Sequence, residues 1–192
     1  MTQRLNDLLK IGAIAAGLLV IPLIAMGLTD EVVWGPGDFL IAWVLLTGAG
    51  IAYKLIAGRF GHSTYKYAVG IAVFTALLLV WMNLAVGLIG SEDNPANLLF
   101  AGVLLVGFVG VILSRFQPRG MSRALFFTAL TQALVPFIAM LIWKPPMSNV
   151  EESLGVLGVI VLNMVFVVLW GVSGWLFWKV AGEDVTLQNS AA

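Results

Sequence analysis

The sequence predicts an all-α, polytopic membrane protein: six transmembrane helices in a single domain over residues 1–192, with both termini on the cytoplasmic side. Three observations carry that expectation. The chain is 60% hydrophobic and only 10% charged, whereas soluble domains run at roughly 45–50% apolar and about 25% charged. Its apolar stretches have the length of a bilayer crossing. Its basic residues fall in alternate connections, which is how membrane insertion sorts them.

A hydrocarbon core of about 30 Å needs roughly 20 residues of helix at about 1.5 Å each. The first uncharged run, Ile11–Leu28, is longer than the roughly 7–15-residue core of a signal peptide and has no small-x-small cleavage site after it, so it reads as a retained span. Phe39–Tyr53 is short and reaches full length only if Lys54 snorkels to the interface. Tyr67–Gly90 is long enough alone, while Leu98–Leu113 depends on Arg115 in the same way. Ala124–Trp143 and Leu154–Trp178 complete the set. None of the runs shows the polar face every 3.6 residues that a soluble bundle needs. Pro22 and Pro136 stand inside the first and fifth runs, where each removes one backbone hydrogen bond and should kink its helix. Ala13/Gly17, Gly107/Gly110 and Gly155/Gly158 have the spacing of close helix contacts.

Charge sets the orientation. Arg4, Lys10, Lys54, Arg59, Lys66, Arg115, Arg119, Arg123 and Lys179 flank the termini and the second and fourth connections. The other three connections hold Lys144 alone, with most of the acids. The positive-inside rule therefore puts both termini in the cytoplasm. Trp34, Trp81 and Trp143 toward the outer edge and Trp178 toward the inner one fit an aromatic belt. Phe39–Gly48 and Leu98–Gly107 share six of ten residues at an offset of 59. Phe-Thr-Ala-Leu recurs at Phe74 and Phe127, and Pro22-Leu-Ile-Ala-Met26 is echoed by Pro136-Phe-Ile-Ala-Met140. Three repeated helical hairpins, or convergent apolar composition, would produce such matches.

Several chemistries are excluded. A net charge of zero rules out a nucleic-acid binder that works by bulk charge. Without cysteine there is no disulfide, iron–sulfur cluster, thiolate zinc site or cysteine nucleophile. His62 is the sole histidine, so multi-histidine metal sites within one chain are excluded. Gly171-Val-Ser173-Gly174 has the form of an intramembrane serine-protease motif, but no histidine lies in the membrane to serve as its base. Glu151-Glu152 lacks the downstream residues of intramembrane metalloproteases, and no phosphate-cradling loop is present. The expectation is a non-enzyme with no catalytic residue and no cofactor. No ionisable residue stands at mid-depth, where such groups mark transport paths. The polar residues there are neutral: Thr47, Thr75, Thr128, Thr131 and Ser173, with the amides Asn83, Gln132 and Asn163. The amides either join helices by hydrogen bonds or line a polar path.

The outer connections are denser than turns require. The first carries Asp30, Glu31, Trp34 and Asp38, and the second Glu92, Asp93, Asn94 and Asn97. Asp38 is placed to cap the second helix, and Asp93 or Asn94 the fourth, with Pro95 in its first turn. If the first two hairpins pack side by side, up to five carboxylates and two amides converge. Such a rim would bind a basic partner, hold a hard cation such as Ca²⁺ or Mg²⁺, or stay solvated. The segments TDEVVWGPGDF and GSEDNPANL, with the inner run Arg115-Phe-Gln-Pro-Arg-Gly-Met-Ser-Arg123-Ala-Leu-Phe, resemble a family of small uncharacterised bacterial inner-membrane proteins. The likeness covers the first outer loop through the fifth helix. It implies a bacterial inner (plasma) membrane and a six-span fold, and no activity. In size and helix count alone the chain is similar to the substrate-binding subunits of energy-coupling vitamin transporters. The expectation is an accessory or structural subunit of a membrane complex, docking onto partners or a second copy through outer acidic loops and helix faces. The alternative is a small-solute or ion permease, or a substrate-binding membrane subunit.

Overall fold

In a hydrocarbon core backbone N–H and C=O groups find partners only in each other, so uncharged runs of this length coil into helices. The computed structural model describes residues 2–29, 33–89, 93–143 and 150–190, which hold helices and no strand. In chain order these are α1 (Thr2–Leu18), α2 (Val20–Leu28), α3 (Pro36–Ala57), α4 (Ser63–Ala85), a 3-10 turn at Pro95–Leu98, α5 (Leu99–Leu113), α6 (Pro118–Trp143) and α7 (Val150–Ser190). Among the described residues six segments are long and apolar enough to cross a membrane, from Leu5–Leu28 to Gly155–Glu183.

The boundaries differ from the apolar runs for local reasons. A charged residue ends an apolar run but not a helix, because Lys and Arg are good helix formers. Thus α3 includes Lys54, α6 begins at Pro118 and takes in Arg119 and Arg123, and α7 runs past Lys179. At 41 residues α7 is about 60 Å long, roughly twice the hydrocarbon thickness. In the other direction, α4 stops short of Gly90. Gly87 adopts a φ of 71°, and its N–H and that of Val86 both return to the Met82 carbonyl, at 3.0 and 3.1 Å. Only glycine takes this left-handed stop without strain. The first span breaks at Leu19, between α1 and α2. Pro22, three residues on, has no N–H for the Leu18 carbonyl and crowds it. Pro136 instead sits within an unbroken α6.

The chain forms two compact units, residues 1–56 and 57–192. In the first, α1 and α3 pair antiparallel. Trp43 Nε1 donates to the Gly12 carbonyl at 3.0 Å, Ile11 lies against Gly50, and Asp7 forms an ion pair with Lys54. In the second, α6 is central, packed between α5 and α7, and α4 lies on the other side of α7. Tyr65, Leu79, Phe100, Leu125, Phe166 and Phe177 fill its interior. Gly110 brings α5 against α6 so closely that an added Cβ would stand 2.7 Å from the Ala124 Cβ. Gly107 meets Thr128 one turn away. The expected close contacts at Gly17 and at Gly155/Gly158 are not formed among the described residues, where each of these glycines has nothing within 4 Å of an added Cβ.

Candidate functional site

Pro136 has no N–H, so the carbonyl four residues earlier, that of Gln132, loses its helical partner. Asn163 of α7 supplies one: its Nδ2 donates to the Gln132 backbone carbonyl at 3.0 Å. In return Gln132 Nε2 donates to Asn163 Oδ1 at 2.8 Å. Both residues are buried, at 0% and 2% exposure. Two of the expected amides thus form a reciprocal clasp between α6 and α7 beside Pro136. Asn83 stands apart. It is half-buried rather than buried, and its Nδ2 donates to Leu79 of its own helix at 2.8 Å. It borders a crevice of about 500 Å³ at the α4–α5 end, which neither Gln132 nor Asn163 lines. A single cavity holding all three amides is therefore not what the fold builds.

The hydroxyls are used in the same way. Ser173 donates to the Ala68 carbonyl at 2.7 Å, joining α7 to α4, so the serine of the protease-like motif is a helix contact. Thr75, Thr128 and Thr131 donate to carbonyls one turn back in their own helices. Thr47 Oγ1, Gln132 Oε1, Asn83 Oδ1 and Trp170 Nε1 are enclosed without a hydrogen-bond partner.

Of the expected outer-loop residues, Asp30, Glu31 and Glu92 lie outside the described residues. Asp38 stands at the third position of α3 and accepts from the Gly35 N–H at 2.8 Å, which is the return half of a capping box. Trp34 packs edge-on against Phe39, with ring centroids 5.3 Å apart. Between the alternatives Asp93 and Asn94, Asn94 is the cap: its Oδ1 accepts from Ala96 N at 2.9 Å, and Pro95 follows at the first position. Asn97 Oδ1 accepts from Leu88 N at 3.0 Å and Ile89 N at 2.9 Å, pinning the chain that leaves Gly87. Asp93 is exposed at the edge of the α4–α5 crevice. The two loops belong to different units. Among the described residues no three His, Cys, Asp or Glu side chains are grouped to hold a metal ion.

A second cavity, of about 840 Å³, opens at the other end of α6. It is lined by Arg119 and Arg123 of α6, Trp178, Lys179 and Glu183 of α7, and His62 before α4. The preceding turn is strained: Arg115 and Phe116 both have positive φ, 49° and 63°, which non-glycine residues seldom adopt. Tyr65, fully buried, holds that turn by donating to the Phe116 carbonyl at 2.9 Å. Ser114 Oγ accepts from Phe116 N at 3.1 Å, and the Arg59 guanidinium lies 4.6 Å from the Phe116 ring centroid. In the sequence these basic residues served to orient the helices, and Arg119 and Arg123 also belong to the inner-loop run that carries the family resemblance. The available signal was Arg119-Gly-Met-Ser-Arg123, two cations four residues apart and so on one helix face. No family model matches the chain, and neither a curated protein nor a solved structure does.

Proposed function

We propose that the chain is a non-enzymatic accessory or structural subunit of a bacterial inner-membrane assembly. The observation that carries this reading is the Gln132–Asn163 clasp. Gln132 and Asn163, the amides best placed to line a polar path, bond to each other in holding α6 to α7, and the buried side chains around them are mostly apolar. A solid bundle acts through its surfaces. Val161, Val165, Val168 and Val172 form an exposed row along α7, and rigid β-branched side chains at helical spacing suit docking against another helix. The outer acidic loops are the second contact surface, toward a basic partner. Both termini are cytoplasmic in this reading, on the positive-inside rule, and the hairpin matches fit either one repeated unit or convergent apolar composition. The reading of a bacterial inner membrane is supported by the resemblance of the outer-loop motifs to those of bacterial inner-membrane proteins.

One observation favours the second reading, a substrate-binding membrane subunit or small-solute permease. Asn83 Oδ1 is enclosed without a partner at a crevice that Asp93, Asn94 and Asn97 also border, an arrangement able to orient a small polar solute.

Native mass spectrometry of tagged protein, taken from its own membrane in mild detergent, separates the two. The subunit reading expects other polypeptides, or a second copy, at fixed stoichiometry. It also expects Asp30→Asn and Glu92→Gln to weaken that association without lowering expression. A lone chain retaining a small molecule would overturn it in favour of solute binding.

A further inference from the structure

The positive-inside rule accounts for how many Arg and Lys residues stand at one end of the bundle, but not for their convergence on one cavity. Arg119 and Arg123, one turn apart on α6, meet Lys179 of α7 across it, so three cations face the single carboxylate of Glu183 among the described lining residues. The start of α6 adds to this field. A helix N-terminus carries partial positive charge and favours an acid nearby, yet the first turn of α6 has no acid and carries Arg119. Ser122 lines the same cavity at 4% exposure. A hydroxyl lining a cavity that also holds several cations can donate to an anion bound there. The strained turn at Arg115 and Phe116, fastened by Tyr65, fixes where α6 begins, and such strain concentrates at ligand sites. Trp178 is 63% exposed beside these groups, and Lys179 lies 4.9 Å from the Trp175 ring centroid. Exposed indoles beside cations are the dress of the headgroup layer.

We infer that this cavity binds a phosphate-bearing anion, with Arg119, Arg123 and Lys179 pairing its charge and Ser122 donating to a phosphate oxygen. The same chemistry is offered by the headgroup of an anionic phospholipid and by free phosphate. Basic pockets between transmembrane helices bind anionic headgroups in this manner, and Arg matches phosphate bidentately.

The test uses the full chain in detergent micelles, with phosphatidylglycerol or phosphatidylcholine added and retained lipid read by native mass spectrometry. Phosphatidylglycerol is expected to be retained over phosphatidylcholine. Retention should fall about fivefold for each charge removed in R119Q, K179Q and R119Q/R123Q, and stay unchanged in K66Q, whose residue lies outside the lining. K179Q keeps the test decisive if the double variant fails to fold, because it alters the opposite wall. Inorganic phosphate alone, titrated onto delipidated protein, is the second arm. Binding that depends on Arg119 and Arg123, with no phosphatidylglycerol preference, identifies free phosphate as the source. Equal retention of the two lipids with no phosphate binding would overturn the proposal, as would retention indifferent to K179Q and R119Q/R123Q.

Discussion

Asn163 completes a hydrogen bond that Pro136 cannot make, and the exchange has a measurable signature. Replacing it with leucine leaves the Gln132 carbonyl and the Gln132 Nε2 without partners in an apolar contact. N163L is therefore expected to cost roughly 1–2 kcal/mol, the range of interhelical hydrogen bonds in membranes, in thermal or denaturant unfolding of the detergent-solubilised protein. In a P136A background the alanine N–H returns to the Gln132 carbonyl, so the same substitution should cost less than half as much. An equal cost in both backgrounds would mean that Asn163 is not serving the proline. Part of this was legible in the sequence. Pro136, Gln132 and Asn163 each stood out, and the offset of four from Pro136 to Gln132 follows from helix geometry alone. Which residue of α7 would answer, 31 positions downstream, depends on how two helices pack, and a single sequence does not carry that.

Between elements, closeness is decided by which small residues face one another. Gly110 of α5 stands against Ala124 of α6 with no room for a methyl group. G110A is expected to lose roughly 1–3 kcal/mol through overpacking, and G110A/A124G to recover most of it, since the second change removes the methyl that the first meets. Failure of the double variant to recover would show that backbone separation, not this contact, sets the α5–α6 distance. G155A makes the contrast: open space at Gly155 predicts a neutral or slightly more stable bundle, gaining up to about 1 kcal/mol from reduced backbone entropy. Lost association with a partner, with the bundle intact, would instead place Gly155 at an intermolecular contact. The small-residue spacing was visible at all three sites in the sequence, but spacing reports only that a face can be approached closely. Tyr65→Phe tests the other kind of joint. Losing its hydrogen bond to Phe116 should cost about 1 kcal/mol and release the strained turn that leads into α6.

At the scale of the whole chain, six apolar helices follow from hydropathy because bilayer thickness sets a length that composition alone can meet. The basic cavity was not legible in the same way. Arg119, Arg123 and Lys179 are close only once α6 and α7 pair antiparallel, and along the chain they look like ordinary interfacial charges. Orientation rests on those charges and is open to a direct test, because the chain has no cysteine and any introduced one is a lone reporter. Gly61, between α3 and α4, and Asp93, before α5, are both exposed and lie on either side of one span. In spheroplasts an impermeant maleimide is expected to label D93C and spare G61C, with G61C labelled once the membrane is permeabilised. The reverse pattern would place the basic end outside and overturn the orientation read from charge. Labelling of both in intact spheroplasts would mean that α4 does not cross the bilayer, since one crossing between the two positions must put them on opposite sides.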